Sequence, residues 1–236
     1  MIKSALIFGG AGGIGTACAK KLKELKYKVM IADLRQPSGE LADYYIAADV
    51  TYEIDIKRAL AAAQDQFGLI GAVINSQGIY VVGAAEKTAL SDWEQMIAIN
   101  LKSVFMVCKN VVPIMRRQKS GYIINLASMA GLRALPGEAA YCASKFGVVG
   151  LSEALFEELK DTGVRITAVC PSSVDTPLLH RALRLTEAER EKVLQPEDVA
   201  AIVADLICSP PRVLRRIVPI EIAHPLNKLE RKREKK

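Results

Sequence analysis

Tyr141 and Lys145 stand four residues apart in Tyr141-Cys142-Ala143-Ser144-Lys145, at the head of a strong helical pattern. Positions i and i+4 share one helix face, so a phenol and an ammonium can enter the same cleft. A free phenol, with a pKa of about 10, is a poor base near neutrality. A nearby cation favours the phenolate, and Tyr141 could then exchange a proton with a substrate oxygen. The bare spacing also describes a half-buried tyrosine beside a surface lysine. Ser128 shifts that balance, because it lies thirteen residues upstream, just past an apolar run. Ligands of open parallel sheets gather at the carboxyl ends of strands, where a serine can donate a hydrogen bond to the same substrate oxygen.

A second feature could hold an anion. Phe8-Gly9-Gly10-Ala11-Gly12-Gly13-Ile14-Gly15 joins an apolar run to a helical pattern. A turn without side chains lets the backbone approach a pyrophosphate, and the helix N-terminus offers N–H groups and a positive dipole. Gly9, Gly13 and Gly15 are assigned to the turn, the close approach and the helix packing. Asp33 follows Gly15 by eighteen positions, at the end of the second apolar run. An acid there accepts hydrogen bonds from ribose hydroxyls and repels a 2′-phosphate, which favours NAD over NADP. Arg35 could turn toward such a phosphate, but the glycine loop holds no basic residue to assist it.

These residues need elements to position them. The sequence predicts strands over 4–9, 28–32, 44–48, 72–75, 121–126, 165–170 and 217–222, all short and flanked by turn residues. Helices are expected over 16–25, over 52–67 with a Thr51 cap and a Gly68 stop, and over 92–117 with a Ser91–Glu94 capping box. Others are expected over 141–162 ending at Gly163, after a Thr186–Glu189 capping box, and over 197–208 behind Pro196. Strand–helix alternation implies an α/β fold, a doubly wound parallel sheet of about seven strands with helices on both faces. One domain over 1–227 and a basic tail over 228–236 are expected. The irregular segment 175–185 is a candidate lid.

With these residues together, the chain resembles the short-chain dehydrogenase/reductase family in its small single-domain, Rossmann-type form. The resemblance runs from Lys3 to about Ile222. It matches the glycine loop, Gly12 and Ile14 included, and a catalytic set of Asn100, Ser128, Tyr141 and Lys145. It implies that Tyr141 and Lys145 also contact the cofactor, Lys145 through the nicotinamide ribose, and that Asn100 holds a proton-relaying water. Asp49 and Val50 match the pair that holds the adenine, and Asn75 to Gly78 match the segment beside the adenosine. Pro171 and Thr176, with Val174 between them, match the stretch around the nicotinamide amide. The chain departs from the pattern at Phe8, at Ser76-Gln77, at Ser172 and after its last strand, where Ala223-His224-Pro225 follows.

The implied function is hydride transfer between NAD(H) and a carbonyl or secondary alcohol. The alternatives are an NADP(H)-dependent 3-oxoacyl thioester reductase and a non-catalytic NAD-binding regulator. The pocket should be framed by Ser128, Met129, Leu132, Arg133, Leu135, Tyr141 and the lid. Arg133, His180, Arg181 and Arg184 could meet an anionic group.

Composition narrows the partners. The formal charge is +6, but the tail carries six basic and two acidic residues, so the rest of the chain is nearly balanced. Neither nucleic acid nor a membrane is expected as a partner. Five cysteines without a CxxC pair, and only two histidines, offer no metal site. The cysteines read as small buried hydrophobes. With no signal peptide or membrane-length apolar stretch, a cytoplasmic protein is expected. Relatives pair long helices between subunits, which implies a homodimer or homotetramer.

Overall fold

The computed structural model describes residues 2–183 and 185–223. Arg184, His224 and the basic tail lie outside the described residues. Seven strands form one sheet: β1 (Ser4–Phe8), β2 (Lys28–Asp33), β3 (Tyr44–Ala47), β4 (Ala72–Asn75), β5 (Gly121–Leu126), β6 (Val164–Pro171) and β7 (Ile217–Ile220). Their order is β3-β2-β1-β4-β5-β6-β7, and every pairing is parallel. The doubly wound α/β architecture is thus as expected.

The strand sequences explain the layers. Parallel strands covered on both faces are apolar throughout rather than alternating. In β1, Leu6 and Phe8 join one core with Ile56, Leu60, Val107, Val111 and Val148. Those partners come from α2 (Glu53–Phe67), α4 (Ser103–Gln118) and α5 (Ala139–Glu158). The alternate residues Ala5 and Ile7 join a second core with Ala17, Leu22, Val199 and Val203. These come from α1 (Gly13–Glu24) and α8 (Pro196–Cys208). Each fully buried leucine or isoleucine contributes about 1.5–3 kcal/mol.

After β1 the chain builds outward through β2 and β3, then returns to place β4 on the other side of β1. The reversal opens a crevice at the carboxyl ends of β1 and β4. The glycine turn and the segment after β4 both lie there.

Local boundaries correct the sequence reading. Helix α1 begins at Gly13 rather than Thr16, with Gly12 as its N-cap. Helix α2 is capped at Tyr52 without a side-chain bond; Thr51 instead hydrogen-bonds Asp49. The Ser91–Glu94 capping box is absent, because α3 (Leu90–Met96) starts earlier, after Ala89. Helix α5 ends at Glu158, and Gly163, at φ 79°, turns the chain into β6. The segment 175–185 is not irregular throughout but carries the short helix α6 (Pro177–Ala182); the Thr186–Glu189 capping box is present on α7 (Glu187–Arg190), and Pro196 opens α8.

The helix expected over 92–117 is not uniform. Between α3 and α4 runs a π-helical stretch, Ile97–Lys102, with Asn100 in it. Contrary to the sequence reading, the run Leu90–Gln118 is long and apolar enough to cross a membrane. Here it packs within the domain against α2 and α5. The cysteines are unpaired; four are buried, and Cys208 is exposed against expectation.

Candidate active site

The glycine turn is defined by contacts that exclude a side chain. Gly9 has φ 72°, and a Cβ there would stand 2.4 Å from the Gln77 amide nitrogen. At Gly15 a Cβ would meet the Gly9 carbonyl at 2.4 Å, which fixes the approach of α1 to the turn. At Gly13 a Cβ would strike Thr176 at 2.7 Å, so the start of α1 abuts the residue that caps the short helix Pro177–Ala182. Gly12 has the more open surroundings, with only the Gly9 carbonyl at 3.3 Å from a Cβ. Gly13, Ile14 and Gly15 form the first helical turn, whose amides have no intrahelical acceptor.

Asp33 ends β2 beside this turn. Its Oδ2 accepts from the Ala11 amide at 3.0 Å and its Oδ1 from the Arg35 amide at 3.0 Å. Each ionised oxygen has capacity for a further donor. Asp49 follows β3, where its Oδ1 accepts from the Thr51 amide at 2.9 Å and hydroxyl at 2.7 Å. Val50 is half-buried next to it.

Asn75 lies deeper than a ligand contact. Its side chain is 1% exposed; Nδ2 donates to Asn125 Oδ1 at 2.8 Å and Oδ1 accepts from Gln77 Nε2 at 3.3 Å. Gln77 Nε2 also donates to Ser103 Oγ at 2.9 Å, while its Oε1 is buried without a hydrogen-bond partner. An orphaned buried acceptor costs about 1–3 kcal/mol. Gln77 lines the cavity, so the segment presents Ser76, Gln77 and Gly78 to it while Asn75 anchors from below.

That cavity, about 390 Å³, joins the ends of β4, β5 and β6. Ser128, Tyr141, Lys145, Pro171, Val174, Thr176 and Ile14 line it, with Met129, Arg133 and Leu135. Leu132 does not line it; it packs on the core beneath α4 and α5. Ser128 Oγ accepts from the Ala130 amide at 3.1 Å and lies 3.5 Å from the Pro171 carbonyl, in the same cavity as Tyr141.

The Lys145 amine donates to the Leu126 carbonyl at 2.9 Å and sits 5.8 Å from the Tyr141 ring centre. Burial lowers its pKa from 10.5 to about 8. Burial also holds Tyr141 well above the usual phenol range, against a lowering from the Ser128 bond; Glu138 and Cys142 raise it further. The direction opposes the sequence expectation of a cation-lowered phenol, because desolvation dominates among the protein's own groups.

Asn100 is fully buried. Its Oδ1 accepts from the Ile79 amide at 2.8 Å, and its Nδ2 donates to the Ile79 carbonyl at 2.9 Å and to Ser144 Oγ at 3.1 Å. The side chain therefore clamps the segment after β4 onto the π-helical stretch. A Cβ at Gly78 would lie 3.5 Å from Asn100 Oδ1 and 3.8 Å from the Lys145 amine, so Gly78 sits where these two groups converge.

The family match is read against this geometry. Residues 3–186 match the short chain dehydrogenase family. The chain belongs to it. Among short chain dehydrogenases it is 36% identical over 190 residues to D-threitol dehydrogenase of Mycolicibacterium smegmatis, covering 76% of this chain and 73% of that protein. It is 35% identical over 186 residues to 2,5-dichloro-2,5-cyclohexadiene-1,4-diol dehydrogenase of Sphingobium indicum, covering 75% and 74%. The structure of 3-ketoacyl-(acyl-carrier-protein) reductase from Brucella melitensis, complexed with NADH, superposes with a TM-score of 0.85 at 27% identity over 93% of this chain and 96% of that one. The protein is thus an oxidoreductase of alcohol and carbonyl groups, built on a fold that binds a nicotinamide cofactor.

The residues fit such a cofactor. The turn admits no side chain at Gly9 or Gly15, helix α1 points its N-terminus into the crevice, and Gln77 brings an unpartnered acceptor to the cavity wall. Sequence reasoning named Gln77 only as a departure from the family pattern, and missed Tyr80 and Glu138. Glu138 was within reach, since it precedes Tyr141 by one helical turn. Among the described residues, no group of three His, Cys, Asp or Glu side chains could hold a metal.

Proposed function

We propose that this short chain dehydrogenase interconverts a secondary alcohol and its carbonyl using NAD(H), with Tyr141 as the general acid–base. The observation that carries the reading is the convergence of Ser128, Tyr141 and the Lys145 amine on one cavity at the carboxyl ends of the strands. Gly9, Gly12, Gly13, Ile14 and Gly15 would hold the pyrophosphate. Asp33 would take the adenosine ribose, Asp49 and Val50 the adenine, and Pro171, Val174 and Thr176 the nicotinamide amide. Asn75 would act through the segment that it anchors, ending at Gly78.

When bound, the nicotinamide supplies or accepts the hydride. The protein's share is position and a proton. Ser128 donates to the substrate oxygen and holds it beside the phenol. In reduction, the Tyr141 hydroxyl gives its proton to that oxygen as the carbonyl carbon gains the hydride. In oxidation, the phenolate takes the alcohol proton as the hydride leaves. Lys145 as an ammonium favours the phenolate and would hold the nicotinamide ribose; Asn100 fixes the backbone behind both. The preference for NAD rests on Asp33, whose charge opposes a 2′-phosphate.

The names of the relatives include a D-threitol dehydrogenase and a cyclohexadiene-diol dehydrogenase, which favours a hydroxylated substrate, and also a D-beta-hydroxybutyrate dehydrogenase, whose substrate is an anion. Exposed Leu90, Trp93, Phe105 and Phe146 on α3, α4 and α5 are the surface for a two-fold subunit contact. A cytoplasmic setting fits the five unpaired cysteines. The test is Tyr141→Phe, which should retain cofactor binding and lose turnover by about 10²–10⁴-fold, the usual worth of general acid–base catalysis. Near-normal turnover would reject the role.

A further inference from the structure

We propose that Glu138 and Tyr80 form a hydroxyl-recognition element beside Tyr141, so that the preferred substrate is an uncharged vicinal diol, or the corresponding hydroxyketone in reverse. The proposal rests on the reading of Tyr141 as the acid–base.

Glu138 is a carboxylate only 2% exposed, in the wall of the reactive cavity. Buried charges are retained only when they are paired or hydrogen-bonded. Glu138 Oε1 accepts from the Tyr80 hydroxyl at 2.6 Å. The Tyr80 ring in turn lies 4.6 Å from the Tyr141 ring, so the pair stands against the reacting phenol. Glu138 occupies the N-cap position of α5, yet its side chain makes no capping bond. An acid at a helix N-terminus gains from the dipole, but that benefit does not require burial in a cavity wall. Its charge also raises the Tyr141 pKa, which works against phenolate formation. A buried carboxylate in the wall of the reactive cavity, hydrogen-bonded to a tyrosine that packs on Tyr141, is placed to meet a substrate group.

The chemistry of the carboxylate limits that use. An ionised carboxylate only accepts hydrogen bonds, so the substrate atom that meets it must carry a proton. Glu138, Tyr80 and Tyr141 line one cavity wall, so a substrate whose reacting oxygen meets Tyr141 can present a neighbouring hydroxyl to the carboxylate. A carboxylate-bearing substrate would face repulsion. The basic side chain in the cavity wall does not offset it, because Arg133 is exposed and faces Glu221 at 4.0 Å.

Three four-carbon alcohols test this: butane-2,3-diol, butan-2-ol and 3-hydroxybutyrate, each assayed with NAD for kcat and KM. Wild-type enzyme should favour the diol over butan-2-ol by about 10- to 100-fold in kcat/KM, the worth of one hydrogen bond to a charged group. Glu138→Gln should collapse that ratio toward unity, mainly through the diol's KM, and should raise relative activity on 3-hydroxybutyrate. Tyr80→Phe, which removes a single hydroxyl, serves as the second variant if Glu138→Gln does not fold, and it should lower the ratio in the same direction. A diol preference that is missing in wild type, or unchanged in the variants, overturns the proposal. If butan-2-ol is still oxidised in a Tyr141-dependent way, the acid–base reading survives that failure. No turnover of any of the three overturns both.

Discussion

The glycine turn and the reactive cavity face each other across the same crevice, yet they are specified by different means. The turn is defined by where side chains cannot be. Gly9 lies against the Gln77 backbone and Gly15 against the Gly9 carbonyl, with contacts too close for any Cβ. The cavity is defined by buried polar side chains that are satisfied by one another and by the backbone, from Asn100 on Ile79 to Lys145 on the Leu126 carbonyl. Backbone exclusion tolerates almost no substitution but carries no chemistry of its own. A side-chain network tolerates conservative changes in packing, and its protonation states are open to adjustment by burial and charge.

This contrast can be broken at several points. The largest effect is at the chemical end, where Tyr141→Phe should cost turnover while leaving cofactor titrations intact. At the other end, Gly9→Ala and Gly12→Ala should separate folding from binding. Gly9→Ala places a Cβ into the Gln77 backbone at a positive φ, and should lower stability by about 1–3 kcal/mol in urea unfolding. Gly12→Ala keeps an ordinary φ of −80° and meets only the Gly9 carbonyl, at 3.3 Å, so it should cost less stability than Gly9→Ala, yet weaken NADH binding by fluorescence titration by about tenfold or more, or about 1.4 kcal/mol. Equal behaviour of the two variants would mean that the turn is purely structural. Asp33→Ala should weaken NAD by about tenfold and narrow the gap to NADP, consistent with the loss of a charge-assisted hydrogen bond. An unchanged cofactor ratio would remove the basis for the NAD preference.

The smallest effect concerns Lys145. Its folded pKa of about 8 lies below the unfolded 10.5, so between these values the unfolded chain binds more protons. Its contribution to stability therefore rises with pH in that window, and is lost as pH falls through about 8. Relative to Lys145→Met, wild type should gain about 1 kcal/mol from pH 8 to pH 9 in urea titrations. The comparison between variants cancels the buried tyrosines and cysteines, whose raised pKa values act in the opposite sense. A flat difference would show that the amine is not desolvated.

Most of the sheet was legible because its signal is local. Ile- and Val-rich runs bounded by turn residues mark β1, β2, β4 and β5 to within a residue or two, and glycine between a strand and a helix marks the crevice. Helix starts were less legible. Ser91 and Thr51 are good caps by residue type, but α3 began before the first and Thr51 was taken by Asp49. The Tyr141–Lys145 pair was readable from spacing. The sign of the Tyr141 shift was not, since burial is a property of the assembled cavity. The Gln77, Ser103 and Asn75 network joins residues up to 28 positions apart, beyond the reach of any local pattern.

The wide turn at Ile97–Lys102 has a consequence for how the gene can change. Each residue of a regular helix rotates the chain by about 100°. A π-helical turn takes in an extra residue, so the faces of α3 and α4 are phased by that surplus. Losing a single codon there would swing Trp93 and Leu90 around the axis relative to Phe105, and would withdraw Asn100 from Ile79. Insertions and deletions in this stretch should therefore be far less tolerated than point substitutions, although the segment holds no glycine or proline to announce it.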